Sequence, residues 1–286
     1  MKKNLCLGIL LSCAMVFGMT LTGEAASKKP VTIVYVEWDC ATATSYLAKA
    51  AIEEKFGVPV DLLSVSAAAV WASVASGDAD AALTAWLPGT HASYAKKLQG
   101  HYDDLGPLAD GARLGWAVPE YVTVTSMKDV AAHAKEFNNV ITGIDAGAGI
   151  MELSEKAMKT YGLTAMTLQD GSGATMAAAL GDAISRNEWV VVTAWSPHWM
   201  FGRWNLRYLD DPEGVLGGNE SIHTIVRQGL HKDMPEVYAF LDAFHYENIG
   251  QLQTLMAWNQ EKNADLSANA KRFMKENPAL VESWFK

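Results

Sequence analysis

Val31-Thr32-Ile33-Val34-Tyr35-Val36-Glu37-Trp38 is six β-favouring residues in a row, followed by an acid and a tryptophan. A short, nearly continuous run of this kind is the signature of a strand buried on both faces of a parallel sheet. After a loop at 37–41, residues 44–56 carry apolar side chains at helical spacing and stop at Gly57, and residues 58–65 read as a second strand. A helix over 67–76, closed by Gly77-Asp78, and a strand over 79–85 ending at Trp86 repeat the unit. Strand, loop and helix at this short spacing predict an α/β fold with a parallel sheet flanked by helices. Trp38 and Trp86 then sit at strand ends on one edge, where ligands bind in such sheets.

Further on, Leu114-Gly115-Trp116-Ala117-Val118-Pro119 reads as a strand with a proline exit, and a new unit opens with a helix over 126–137 and a strand over 140–144. Its turn, Asp145-Ala146-Gly147-Ala148-Gly149-Ile150, leads into a helix over 151–161; another helix spans 173–185, and a strand over 189–194 ends at Trp195. Residues 205–218 are rich in Asp, Pro and Gly and suit a return crossing, after which helices over 235–244, 249–259 and 267–276 complete the first unit. The expected organisation is therefore one lobe of residues 26–115 plus 219–286 and a second of 116–218, joined by two crossings with a cleft between them.

The amino terminus, Met1-Lys2-Lys3-Asn4 followed by an apolar run from Leu5 to about Leu21 and then Gly23-Glu24-Ala25-Ala26, reads as a secretory signal peptide over 1–25. A lipoprotein reading through Cys13 ranks second, because it leaves Ala14 to Leu21 as an exposed apolar tail. Removal of the leader takes Cys6 and Cys13 with it, so Cys40 has no disulfide partner. The charge moves from −9 to −10, with 21 basic residues against 31 acidic ones, which argues against a nucleic acid or an anionic membrane as partner.

Three of the ten tryptophans stand beside turn residues at predicted strand ends: Trp38, Trp86 in Ala85-Trp86-Leu87-Pro88-Gly89, and Trp195 in Ala194-Trp195-Ser196-Pro197-His198. Converging indole faces form a cage for a cation that cannot hydrogen-bond, typically a quaternary ammonium. Trp71, Trp189, Trp204, Trp258 and Trp284 sit at core-like positions and read as packing. The Gly147-Ala148-Gly149-Ile150 turn opens a helix, so its free N–H groups and dipole suit a carboxylate or phosphate, or its glycines serve only tight packing. It lacks the dinucleotide fingerprint, and no cofactor motif appears elsewhere. His91, five residues after Trp86, is a candidate donor to an anion at the same edge. The histidines show no metal-ligand spacing, Cys40 has no neighbouring base in the sequence, and Ser196 lacks a nucleophile-elbow context, so neither a metal site nor a catalytic residue is expected.

On four stretches the chain resembles the substrate-binding proteins of glycine betaine and proline betaine ABC transporters: Tyr35-Val36-Glu37-Trp38, Ala85-Trp86-Leu87-Pro88-Gly89-Thr90-His91, residues 143–151, and Thr193-Ala194-Trp195-Ser196-Pro197-His198-Trp199-Met200-Phe201. The resemblance covers essentially all of the chain after the leader. It implies a type II periplasmic-binding-protein fold, with two parallel or mixed sheets flanked by helices and a ligand cleft between lobes. It implies a cage of Trp38, Trp86 and Trp195 around a trimethylammonium head, a carboxylate held by the N–H groups of Gly149 and Ile150 with His91 as side-chain donor, and Cys40 and Trp116 as further lining. Delivery to an ABC permease from an extracytoplasmic location follows from the same resemblance, with no cofactor. In choline-binding relatives an aspartate stands where this chain has Cys40, which favours a betaine over choline; carnitine and a sulfonium analogue are close alternatives. An exported hydrolase on the same frame needs a nucleophile or metal that the sequence does not supply, and a stacked sugar needs more polar strand-end loops.

Overall fold

The computed structural model describes residues 29–286, so the leader expected at 1–25 lies outside the described residues. β1 (Val31–Tyr35) runs parallel to β2 (Val60–Ser64) and β3 (Ala81–Leu87), with Ile33 opposite both Leu62 and Ala81. The crossovers are α1 (Asp39–Phe56) and α2 (Ala67–Ser76), and a short α3 (Ala92–Lys97) follows β3. α1 starts directly after Trp38, five residues earlier than its sequence pattern suggests. It stops at Gly57, whose left-handed φ of 59° lets its N–H bond back to the Glu53 carbonyl.

β4 (Tyr102–Pro119) is an 18-residue strand, far longer than the segment legible in the sequence, and its two ends belong to different neighbours. Residues 102–112 pair with β9 (Glu220–Arg227), while residues 113–117 pair with β7 (Val192–Ser196), and its last residues pair with β8 (Leu206–Tyr208). The path β2-β1-β3-β9-β4-β7-β5-β6, with β5 (Val140–Thr142) and β6 (Thr167–Gln169), together with β8 beside β4 off this path, is therefore one nine-stranded mixed sheet in which β4 serves both halves.

In the second half a 3-10 helix (Met127–His133) stands where a longer α-helix was expected. The chain then turns through Asn138 and Asn139 at positive φ. α4 (Gly149–Thr160), α5 (Gly173–Ser185) and α6 (Met200–Arg203) cover this half. β5 and β7 are parallel, so the turn after β5 and the end of β7 share an edge, as the ends of β1 and β3 do in the first half.

The chain returns through β9 into α7 (Leu230–Asp233), α8 (Pro235–Ala243), α9 (Ile249–Asn259), α10 (Leu266–Glu276) and α11 (Pro278–Ser283). α8, α9 and α10 pack on α1, burying Phe240, Phe244, Phe273 and Trp284 in one core with Leu47 and Ile52. A second, smaller core under the other half holds Trp116, Met127, Phe137 and Ile141. Among the described residues no helix is long and apolar enough to cross a membrane.

Candidate binding site

Each half delivers aromatic side chains to the meeting edge through its strand ends. The Trp38 N–H donates to the Val36 carbonyl, and the Trp38 carbonyl accepts from Thr42 in the first turn of α1, so the helix start fixes the indole's root. Trp86 lies near the end of β3 and is locked to His91 in both directions: Trp86 N–H donates to His91 Nδ1 at 2.9 Å, and His91 N–H donates to the Trp86 carbonyl at 2.9 Å. The intervening loop is tied down by the buried Glu220 carboxylate of β9, which accepts from the N–H groups of Gly89 and Thr90. Trp195, near the end of β7, meets the edge of His198 at a centroid distance of 4.5 Å.

The turn after β5 supplies donors. Ala148 N–H closes it onto the Asp145 carbonyl at 2.8 Å, and α4 begins at Gly149 without a side-chain cap. Gly149 and Ile150 are its first two positions, and their N–H groups have no acceptor among the described residues, as expected for an uncapped helix start.

Trp38, Cys40, Trp86, His91, Gly149, Ile150 and Trp195 all line one cavity with about 300 Å³ of empty space, completed by Thr90, Leu114, Ile144 and Ala148. The space left between these side chains is narrow and suits a compact ligand rather than a chain of sugars. Trp116, expected as further lining, is elsewhere: two residues past Leu114 the strand has passed beneath α4. The Trp116 indole N–H donates to Ser154 Oγ at 2.8 Å within the second core.

The state of His91 follows from its partners. Nδ1 accepts a backbone N–H, so in the neutral ring the proton is on Nε2, which is buried and has no hydrogen-bond partner. Burial pushes its pKa down to about 4, so at neutral pH the ring is an uncharged donor. Between about pH 6.5 and pH 4 the unfolded chain takes up this proton and the folded chain does not, so stability falls as pH falls through that window, by about 3 kcal/mol at its lower end. Urea unfolding of wild type and His91→Gln at pH 7 and 4.5 checks this: the variant is expected to lose less stability on acidification, and equal losses would contradict a buried neutral His91.

Cys40 is no nucleophile. Burial above all, with the neighbouring Asp39 charge, pushes its thiol up to about 12, so the reactive thiolate is not formed at neutral pH. Among the described residues no group of three or more His, Cys, Asp or Glu is placed to hold a metal ion. The site thus offers electron-rich faces around one region and neutral, unpaired N–H donors at another.

Contacts between the halves close over the pocket. Trp38 Nε1–H donates to Asp145 Oδ2 at 3.0 Å, Tyr94 Oη–H to the Gly147 carbonyl at 2.9 Å, Ser93 Oγ–H to Glu152 at 2.9 Å, and Gln253 Nε2–H to the His198 carbonyl at 2.8 Å. His198 Nε2 lies 3.2 Å from Asp39 Oδ2, off the line that a hydrogen bond needs. Asp145, Glu220 and His198 are supporting residues that the sequence reading did not single out. Asp145 was visible as part of the turn. Glu220 and His198 carried no local signal, since their partners lie 131 and 159 residues away.

Comparison with known proteins gives the family. Residues 29–276 match the family described as the substrate-binding domain of the ABC-type glycine betaine transport system. The glycine betaine/carnitine transport binding protein GbuC of Listeria monocytogenes is 41% identical over 152 residues, a span of 52% of this chain and 50% of that protein, so the match reaches only half the length of this curated relative. Lactococcal OpuAC, crystallised closed with glycine betaine, superimposes with a TM-score of 0.86 at 38% identity, covering 91% of this chain and all of the other. The glycine betaine/L-proline-binding protein ProX of Borrelia burgdorferi gives a TM-score of 0.86 at 35% identity, over 90% and 97% of the two chains. The periplasmic-binding-protein fold expected from the sequence is the fold of these structures. With a family match over most of its length, the chain belongs to the substrate-binding domains of ABC-type glycine betaine transport systems, a family of solute-binding proteins rather than enzymes.

Proposed function

We propose that the cavity binds glycine betaine or a closely related quaternary ammonium osmolyte and that the closed, loaded protein delivers it to an ABC permease. The observation that carries this reading is the meeting, in one small cavity, of Trp38, Trp86 and Trp195 with three free donors: His91 Nε2–H and the N–H groups of Gly149 and Ile150. The indoles take the trimethylammonium head, which cannot hydrogen-bond, and the donors take the carboxylate at the start of α4. Each desolvated indole contributes up to about 2 kcal/mol, and after ordering costs the sum supports roughly micromolar affinity. The names of the relatives, which bind glycine betaine or carnitine, support the same ligand class.

The division expected from the sequence, with crossings after 115 and after 218, supplies the two lobes of this proposal. Hinge motion through β4 and β9 opens and closes the cleft. Removal of a leader over 1–25 places the protein outside the cytoplasm, where it meets its ligand and its permease. Choline shares the head group but has only a hydroxyl at the far end, so it leaves the three donors under-used, and they favour a betaine.

His91→Ala separates the two ligands. In parallel calorimetric titrations it is expected to weaken glycine betaine by about tenfold, the size of a hydrogen bond to a charged group, and choline by much less. Equal losses for both ligands would remove the carboxylate role from His91.

A further inference from the structure

We infer that Asp145 is a charge-bearing positioning residue of the ammonium cage, acting on the ligand through the Trp38 indole that it holds across the cleft. This rests on the betaine reading above. Trp38 projects from the β1–α1 loop of one half, and its Nε1–H donates at 3.0 Å to Asp145 Oδ2, in the β5–α4 turn of the other half. Asp145 forms no ion pair among the described residues, so no cation of the protein within salt-bridge reach neutralises the carboxylate.

Three consequences follow from this one bond. A hydrogen bond from an indole N–H to an ionised acceptor is stronger than one between neutral groups, and it shifts electron density toward the ring. The Trp38 face that lines the cavity therefore carries more negative potential than a free indole, and the attraction for a cation on that face grows with it. The carboxylate also stands one indole's width from the bound head group, in a site from which closure expels water, so its charge is felt more strongly than at a surface. Finally, the bond exists only while the halves are together, so it orients Trp38 in the closed state.

The test separates charge from geometry. Asp145→Asn retains a carbonyl oxygen able to accept the indole N–H but removes the charge; Asp145→Ala removes both. Each is titrated with glycine betaine and with 3,3-dimethylbutyrate, in which carbon replaces the quaternary nitrogen so that shape and carboxylate remain and the positive charge is gone. Wild type is expected to prefer glycine betaine, and Asp145→Asn to reduce that preference by about tenfold, mainly by weakening glycine betaine. Asp145→Ala is expected to weaken both ligands. In wild type bound to glycine betaine, the Trp38 indole proton is expected far downfield in the NMR spectrum, and upfield of that position in Asp145→Asn. An unchanged preference in Asp145→Asn would overturn the charge role even if Asp145→Ala failed to fold. Wild type binding neither compound would overturn the betaine reading and this inference together, which distinguishes the two failures.

Discussion

Gly149→Ala is expected to reduce glycine betaine affinity by more than a hundredfold while leaving the melting temperature within a few degrees of wild type. A Cβ at this position falls 2.0 Å from the Thr90 carbonyl oxygen and 2.8 Å from its carbonyl carbon, and Thr90 belongs to the opposite half. Thr90 has little room to retreat, because its N–H and that of Gly89 are held by the buried Glu220 carboxylate. Alanine therefore wedges the halves apart at the point where the carboxylate donors meet the loop of His91. The hydrogen bonds to the charged ligand lengthen or break, each worth about 1.5–3 kcal/mol, and the Trp38–Asp145 bond goes with them. Within its own half the substitution is harmless, since alanine is a better helix former than glycine. Calorimetry gives the affinity, and small-angle scattering with and without glycine betaine gives the closure. Affinity within threefold of wild type would show that the halves do not approach this closely when the ligand is bound.

Trp195→Ala is expected to weaken glycine betaine by at least tenfold and up to about a hundredfold, with Trp195→Phe recovering part of the loss. The indole supplies a cation-π contribution of up to about 2 kcal/mol, and truncation also opens the cage to water. Trp195 is the wall contributed by β7, in a position set by its pairing with Leu114 and by its edge contact with His198. Thermal unfolding is expected to remain cooperative, because the side chain, although buried at the edge of the larger core, already borders a cavity. An unchanged titration would take Trp195 out of the ligand's path.

The parallel units of the first half were legible because Val31-Thr32-Ile33-Val34-Tyr35-Val36 and the strand ending at Trp86 are buried on both faces and so read as unbroken apolar runs. β4 was not. Its first half contains Asp103, Asp104, Gly106, Pro107, Asp110 and Gly111, a composition that signals turns. In the structure these residues are strand interrupted by register shifts against β9 at 104–107, 107–109 and 110–112, with Gly106 and Gly111 at positive φ. Bulges bend the strand at the crossing between halves and need turn-like residues, so the local pattern hid the element. The start of α1 was hidden for a related reason: Asp39 and Cys40 read as loop, although they form its first turn.

The candidate site was legible where its residues stand at strand ends beside turn residues: Trp38, Trp86, His91, Gly149, Ile150 and Trp195 line one cavity. Trp116 misled because its strand setting is similar; only the Ser154 hydroxyl on the buried face of α4 shows where its indole points. Contacts across the cleft, such as Trp38 with Asp145, join residues 107 apart and leave no periodic trace. The same holds for Glu220, which acts on the loop at Gly89 from 131 residues away.

Isothermal titration of residues 26–286 with glycine betaine and, in parallel, with choline tests whether this cavity is a cage for a quaternary ammonium bearing a carboxylate. Saturable one-to-one binding of glycine betaine at a roughly micromolar dissociation constant is expected, with choline much weaker. Silence with glycine betaine at millimolar concentration, or choline binding as tightly, would contradict it.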